Sequence, residues 1–160
     1  MNPSPADLSV EPLDHRDPQV AARIHAVWLP AYEQEAALIG LAVFPPLQRS
    51  AHDIQRSGDF HIGALRAGTL EGVIAIGPDT EADHLSINAL VVHPHHQRRG
   101  VASALLAEAL RRGPGMAFCV TTAAGNAPAL ALYALLGFRP FRRGTLGDGV
   151  LPMLKLRRSP

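Results

Sequence analysis

Residues 93 to 106 read HPHHQRRGVASALL, a stretch that offers three kinds of chemistry. His93, His95 and His96 are of the type that ligates transition metals, because neutral imidazole is their commonest protein ligand. Arg98 and Arg99, with Arg111 and Arg112 one helix further on, are of the type that meets nucleic-acid phosphates. The segment Gln97-Arg98-Arg99-Gly100-Val101-Ala102 could instead use its backbone. Small residues at the start of a helix leave its first amide N–H groups open to an anion.

Spacing and composition separate these readings. A zinc protease places two histidines four apart on one helix face. The three histidines here lack that spacing, and no cysteine or carboxylate lies among them. Adjacent in a turn, His95 and His96 would point apart, so solvated loop histidines and no metal are expected. A nucleic-acid surface needs a broad basic face with aromatic stacking groups. This chain has a formal charge of only +1, one Trp and two Tyr, and solvated helix ends account for its arginines. No nucleic-acid partner is expected. Hydrolase and nucleotide templates fail as well: there is no G-x-S-x-G elbow, and the only lysine, Lys155, lies far from any glycine loop. Cys119 sits in an apolar run, where a thiol is usually inert. What remains is a phosphate cradle made by the first amides of the helix that the loop QRRGVA opens. Gly100 and Ala102 are small enough for close approach, and Arg98 and Arg99 add charge at the rim.

The elements that would hold this cradle follow from periodicity and punctuation. LSVEPL (8–13) alternates like a short strand. Asp17 and Pro18 open a helix carrying Val20, Ile24, Val27 and Trp28, predicted to break at Pro30. A second helical piece with Tyr32, Leu38 and Ile39 is predicted to run to Gly40. Pro45 and Pro46 start another short helix that ends by Gly58. FHIGALRAG (60–68) and TLEGVIAIGP (69–78) read as a hairpin turning at Ala67 and Gly68. HLSINALVVHP (84–94) is a third strand, and a helix is predicted from near Arg98 with Val101, Ala102, Leu105, Leu106, Ala109 and Leu110 on one face. MAFCVTTA (116–123) suits a buried strand. Asn126 caps a last helix with Pro128 in its first turn and Gly137 past its end. Two strands, 138–145 and 150–158, close the chain around the turn signal LGDG, and only the termini look disordered.

The chain's 160 residues suit a single domain, 1–160. Its order of elements is that of an α/β or α+β sheet with helices on both faces. The first residues lack a basic and an apolar signal region, and no apolar run approaches the ~20 residues of a membrane span. One cysteine allows no internal disulfide. A cytoplasmic protein with no membrane partner is the expectation.

Gln97-Arg98-Arg99-Gly100-Val101-Ala102, following the strand residues Leu90, Val91 and Val92, resembles the Q/R-x-x-G-x-G/A signature of the GNAT superfamily of acyl-CoA-dependent N-acyltransferases. A second stretch, Asn126 through Ala129, Leu132, Tyr133, Gly137 and Phe138, is similar to another conserved segment of that family. The resemblance covers roughly residues 60 to 158. It implies a single GNAT domain with a mixed, mostly antiparallel sheet of six or seven strands, whose fourth and fifth strands (about 84–93 and 115–123) splay apart. Acetyl-CoA would be the cosubstrate, with no metal. Its pyrophosphate would lie on the amides of residues 98 to 103, through Ser103, and its pantetheine arm along Leu90, Val91 and Val92, where a backbone N–H near Val92 could polarise the thioester.

The reaction so implied is direct attack by a primary amine of a small molecule, peptide or protein. Tyr133 matches the family's general acid, or else anchors its helix to the sheet. Asn126 matches a residue that contacts the pantetheine arm or orders a water, or is simply a cap. Many members carry a glutamate base on the fourth strand. Here that position is Asn88, which cannot act as a base. His84 and His61 are candidate substitutes. Glu33 and Tyr32 fall where the acceptor pocket is usually lined, and Trp28 and Tyr32 have packing roles as the alternative. Homodimers are common in the family. Asn88 also motivates another reading, a non-catalytic acyl-CoA-binding or sensing domain on the same fold, and a vestigial cleft beside a helical interaction surface is a third.

Overall fold

Alternating apolar runs build one seven-stranded sheet, and two amphipathic layers cover it. The structure, a computed structural model, describes residues 7–146, 149 and 151–160. Strand β1 (Ser9–Pro12) leads into helix α1 (Pro18–Ile39), a single 3₁₀ turn (Pro45–Gln48) and the short helix α2 (Ala51–Gln55). Strands β2 (Phe60–Arg66), β3 (Thr69–Pro78) and β4 (His84–Val92) form a meander. Helix α3 (Val101–Arg112), β5 (Ala117–Ala123), helix α4 (Ala127–Leu135), β6 (Arg139–Leu146) and β7 (Leu151–Arg158) complete the fold. The order across the sheet is β1-β2-β3-β4-β5-β7-β6, and only β4 and β5 run parallel. Of the expected LGDG turn, Gly147 and Asp148 lie outside the described residues, as do the N-terminal residues 1–6 expected to be disordered.

One face of the sheet packs on α3 and α4 through Leu105, Leu106, Tyr133 and Phe138; the other packs on α1 and α2 through Ile24, Trp28 and Ile54. Burying one such side chain contributes about 1.5–3 kcal/mol, so each layer is held mainly by its apolar stripe. Among the described residues no helix is long and apolar enough to cross a membrane.

Two expectations are corrected. Helix α1 does not break at Pro30 but runs through it to the left-handed Gly40, φ 74°. Ile24, Val27 and Trp28 before the proline and Tyr32 and Ala36 after it lie on one buried stripe, and this shared burial outweighs the lost backbone bond. Leu38 is 54% exposed, because six residues after Tyr32 it lies on another side of the helix. Helix α3 begins at Val101 rather than near Arg98, since Arg98 (φ 60°) and Gly100 (φ 80°) are both left-handed and Pro94–His96 forms its own 3₁₀ turn.

Two local features position the site. A bulge at Asn88 in β4 shifts register: Ala89 pairs with Ala75 while Ile87 pairs with Ile76. The extra residue swaps the faces, so Ile87 packs with α3 and α4 while Ala89 and Val91 pack with α1. At Gly72 a Cβ would stand 2.7 Å from Val101 Cγ1 and 3.0 Å from Leu105 Cδ1. The missing side chain therefore lets α3 lie directly on β3 and brings its N-terminus to the end of β4.

Candidate active site

Strands β4 and β5 pair only from His84 with Ala117 to Ile87 with Val120. Beyond the bulge they part, and the gap opens into a cavity of about 290 Å³. Asn88, Ala89 and Leu90 line one side of it, Thr121 to Ala123 the other, Tyr32 and Glu35 come from α1, and Asn126 and Tyr133 from the start and middle of α4. The turn at Pro45 and Pro46 adds a wall, pinned where Trp28 Nε1 donates to the Pro46 carbonyl at 2.9 Å.

The parted stretch of β4 has a free edge. His93 N–H donates to the Glu71 carbonyl on β3 at 2.9 Å. Alternation then turns the N–H and C=O of Val91 to β3 and those of Leu90 and Val92 to the open side. Gln97 Nε2 reaches this edge, donating to the Val92 carbonyl at 3.3 Å and to Gln34 Oε1 of α1 at 2.6 Å. At the end of the edge stands the N-terminus of α3. Its first backbone bond is Ala104 N–H to the Gly100 carbonyl, so the amides of Val101, Ala102 and Ser103 precede the helical ladder. Gly100 offers no capping side chain, and around its missing Cβ nothing stands within 4 Å.

Inside the cavity the sequence-predicted Tyr133 and Asn126 meet a residue not anticipated, Glu35. Asn126 Nδ2 donates to Glu35 Oε1 at 3.0 Å, while Asn126 Oδ1 accepts the Ala129 N–H at 3.3 Å and so caps α4. Cap and contact thus coexist in one side chain. Burial raises the Glu35 carboxyl above the ordinary glutamate range, and the Asn126 bond opposes this in part. Burial, and then the nearby Glu35 charge, hold the Tyr133 phenol well above its ordinary value. The same two causes raise Tyr32. The Tyr133 hydroxyl has no hydrogen-bond partner among the described residues, yet no buried side-chain polar atom is left unsatisfied, so it opens on the cavity. Glu33 is exposed. Glu35 is the signal that was available, three residues after Tyr32 and seven after Trp28 on one helix face.

The other candidates lie elsewhere. His84 begins β4 on its paired side; its Nδ1–H donates to the Ala82 carbonyl at 2.8 Å and its Nε2 stands 3.6 Å from Glu81. It does not line the cavity. His61 is buried against His15, ring centroids 4.2 Å apart, and burial with that neighbour lowers it to about 4; it too is absent from the lining. Asn88 does line the cavity, its Nδ2 shared by both Asp59 carboxylate oxygens at 3.1 Å. Gly77 makes room for that carboxylate, since a Cβ there would stand 2.4 Å from Asp59 Oδ1.

The histidine cluster is less solvated than expected. A second residue unforeseen in the sequence, Glu71, is 1% exposed and pairs with Arg66 at 3.1 Å. It also has His96 Nδ1 at 3.6 Å and Arg99 Nη1 at 3.8 Å. This carboxylate ties the loop before α3 to the sheet, while Arg98 remains exposed. Among the described residues no three His, Cys, Asp or Glu side chains gather as a metal site. Cys119 is buried, and burial raises its thiol.

A mixed sheet that parts between two parallel strands, with a bare helix N-terminus at one end of the gap and a phenol and carboxylate within it, defines an acetyltransferase class of fold. A sequence model of the acetyltransferase (GNAT) family matches residues 43–138, and the chain belongs to that family. The UPF0157 protein YqkA of Bacillus subtilis (strain 168) is 35% identical over 143 residues, 89% of this chain but 41% of that protein. The chain therefore spans about two-fifths of that relative's length. Among solved structures, the PaiA N-acetyltransferase of Thermoplasma acidophilum, in complex with coenzyme A, is similar at a TM-score of 0.76 and 15% identity, over 96% of this chain and 99% of that one. The ribosomal-protein-S18-alanine N-acetyltransferase of Escherichia coli gives 0.72 and 18%, over 96% and 94%. These two likenesses bear on the fold alone.

Proposed function

We propose that residues 1–160 act as one N-acetyltransferase unit that moves an acetyl group from acetyl-CoA to a primary amine by direct attack. The observation that carries this reading is the convergence of Glu35, Asn126 and Tyr133 in the gap between β4 and β5, at the free edge of β4. Membership of the GNAT family supports it.

The residues present fit the cosubstrate. The amides of Val101, Ala102 and Ser103, with the helix dipole behind them, bind the pyrophosphate. Open space at Gly100 admits it. Leu90 and Val92 pair their outward backbone groups with the amides of the pantetheine arm. Acetyl-CoA supplies an activated thioester carbonyl and a thiolate leaving group. An open-edge N–H at Leu90 or Val92 polarises that carbonyl.

Glu35 takes the base's role that Asn88 cannot fill, in a cavity that neither His84 nor His61 lines. It accepts a proton from the ammonium, and the neutral nitrogen forms the C–N bond as the C–S bond breaks. Tyr133 gives its phenolic proton to the departing sulfur, the acylated nitrogen sheds its second proton to solvent to leave the neutral amide, and solvent restores both side chains. A carboxyl raised by burial is the stronger base for this task. Asn126 positions Glu35 and caps the helix that carries Tyr133.

Thiol release from acetyl-CoA, measured against a panel of primary amines, tests the reading. Amine-dependent release is expected. Tight acetyl-CoA binding without release for any amine would leave the non-catalytic acyl-CoA-binding domain in its place.

A further inference from the structure

Strand β3 turns two consecutive residues toward the start of α3. Gly72 lets the helix lie on the strand, and Glu71 holds the loop before it. A local irregularity aims Glu71 there. Ala64 of β2 pairs with Gly72, while the next residue, Leu65, pairs with Leu70. Glu71 therefore has no partner on β2: it is the extra residue of a bulge, a device that redirects a side chain.

Glu71 meets the loop at three points, each three residues from the last. Its carbonyl accepts the His93 N–H at 2.9 Å. Its Oε1 has His96 Nδ1 at 3.6 Å and Arg99 Nη1 at 3.8 Å. The last two are also joined to each other: Arg99 Nη1 donates to His96 Nδ1 at 3.2 Å, since a guanidinium has no acceptor. From β2, Arg66 Nε donates to both carboxylate oxygens, at 3.2 and 3.1 Å. This partner offsets the desolvation of a buried carboxylate.

Between the second and third points stands Arg98, at φ 60°. Left-handed backbone is unfavourable for an L-residue and persists only where its surroundings over-determine it. The contacts at His96 and Arg99 flank that residue on either side. Gly100 and the open amides of α3 follow directly, so whatever fixes residues 96 to 99 fixes where those amides stand. A carboxylate repels a pyrophosphate, so any favourable effect of Glu71 on that anion passes through the loop.

We propose that Glu71 is the positioning residue of the pyrophosphate cradle: its hold on His93, His96 and Arg99 sets the amides of Val101, Ala102 and Ser103 for the diphosphate of acetyl-CoA. The inference rests on the reading of that loop as the cosubstrate's site.

Pantetheine shares the arm of coenzyme A and lacks its phosphates, so the two Kd values, measured by calorimetry, isolate the phosphate end. The intact chain should bind coenzyme A at least about tenfold more tightly than pantetheine. In Glu71→Gln the Kd for coenzyme A should rise about tenfold or more, while that for pantetheine stays within about twofold. A merely structural role would weaken both ligands alike. Should Glu71→Gln fail to fold, Glu71→Leu/Arg66→Leu removes the buried charge together with its nearest partner, an exchange far gentler on stability, and the same selective loss is expected. An unchanged Kd for coenzyme A, or equal weakening of both ligands, overturns the proposal. An intact chain that binds both ligands alike removes the cradle itself, and the proposal with it, whether or not any amine is acetylated.

Discussion

The side-chain amide of Asn126 donates a hydrogen bond of 3.0 Å to Glu35 Oε1, joining the cap of α4 to α1 across 91 residues of chain. This contact ties the helix that carries Tyr133, the proposed proton donor, to the helix that carries Glu35, the proposed base. It also bears on the proton affinity of Glu35, because burial disfavours the carboxylate while the bond favours it, and burial prevails.

Asn126→Ala removes both functions of that side chain. Losing the cap should cost about 1 kcal/mol of stability. Losing a bond to the charged carboxylate raises the Glu35 pKa further, so at a given pH less of the base is ionised. The acid limb of kcat against pH should move to higher pH. Asn126→Ser retains an N-cap acceptor and separates the effects: stability should recover while the limb stays displaced. A limb that does not move in either variant contradicts the coupling.

Tyr133→Phe keeps the ring that packs on Phe138, centroids 5.4 Å apart, and removes only the hydroxyl proposed as the proton donor. The turnover number should fall on the order of a hundredfold, with acetyl-CoA binding within about twofold of the parent. Because burial and Glu35 both raise this phenol, it stays protonated through its ordinary titration near pH ~10. The parent's kcat profile should therefore show no alkaline loss from Tyr133 below that pH.

Gly100→Val places a β-branched residue at a φ of 80° and a side chain in front of the α3 amides. Left-handed backbone costs an L-residue roughly 1–2 kcal/mol, and the anion loses its close approach. The Kd for coenzyme A, followed by calorimetry, should rise at least about tenfold, with the melting temperature lowered by roughly a few degrees. Unchanged affinity would remove the cradle from the account.

Much of this site was legible in the sequence because it rests on local chemistry. Gly100 and Ala102 mark a bare helix start, and Asn126, Pro128 and Gly137 bracket a helix whose middle presents Tyr133. The splay of β4 and β5 followed from the family resemblance that those residues carry. Glu35 lies within reach of helical periodicity, whereas Glu33, two residues before it, stands on another side of the helix and is exposed. Glu71 was not legible: it interrupts the apolar run TLEGVIAIGP, and its partners Arg66, His96 and Arg99 come together only when β3 meets the loop before α3. The continuity of α1 through Pro30 is likewise decided by burial against the sheet, which outweighs the local rule.

The most direct test is amine-dependent thiol release by the intact chain and by Glu35→Gln, compared at equal acetyl-CoA occupancy. The exchange preserves the shape of the side chain and removes the proposed base. Release should fall about a hundredfold or more at neutral pH, its acid limb should vanish, and the Kd for acetyl-CoA should not change. Equal turnover in the two proteins would contradict the central claim that Glu35, poised by Asn126 in the gap between β4 and β5, activates the acceptor.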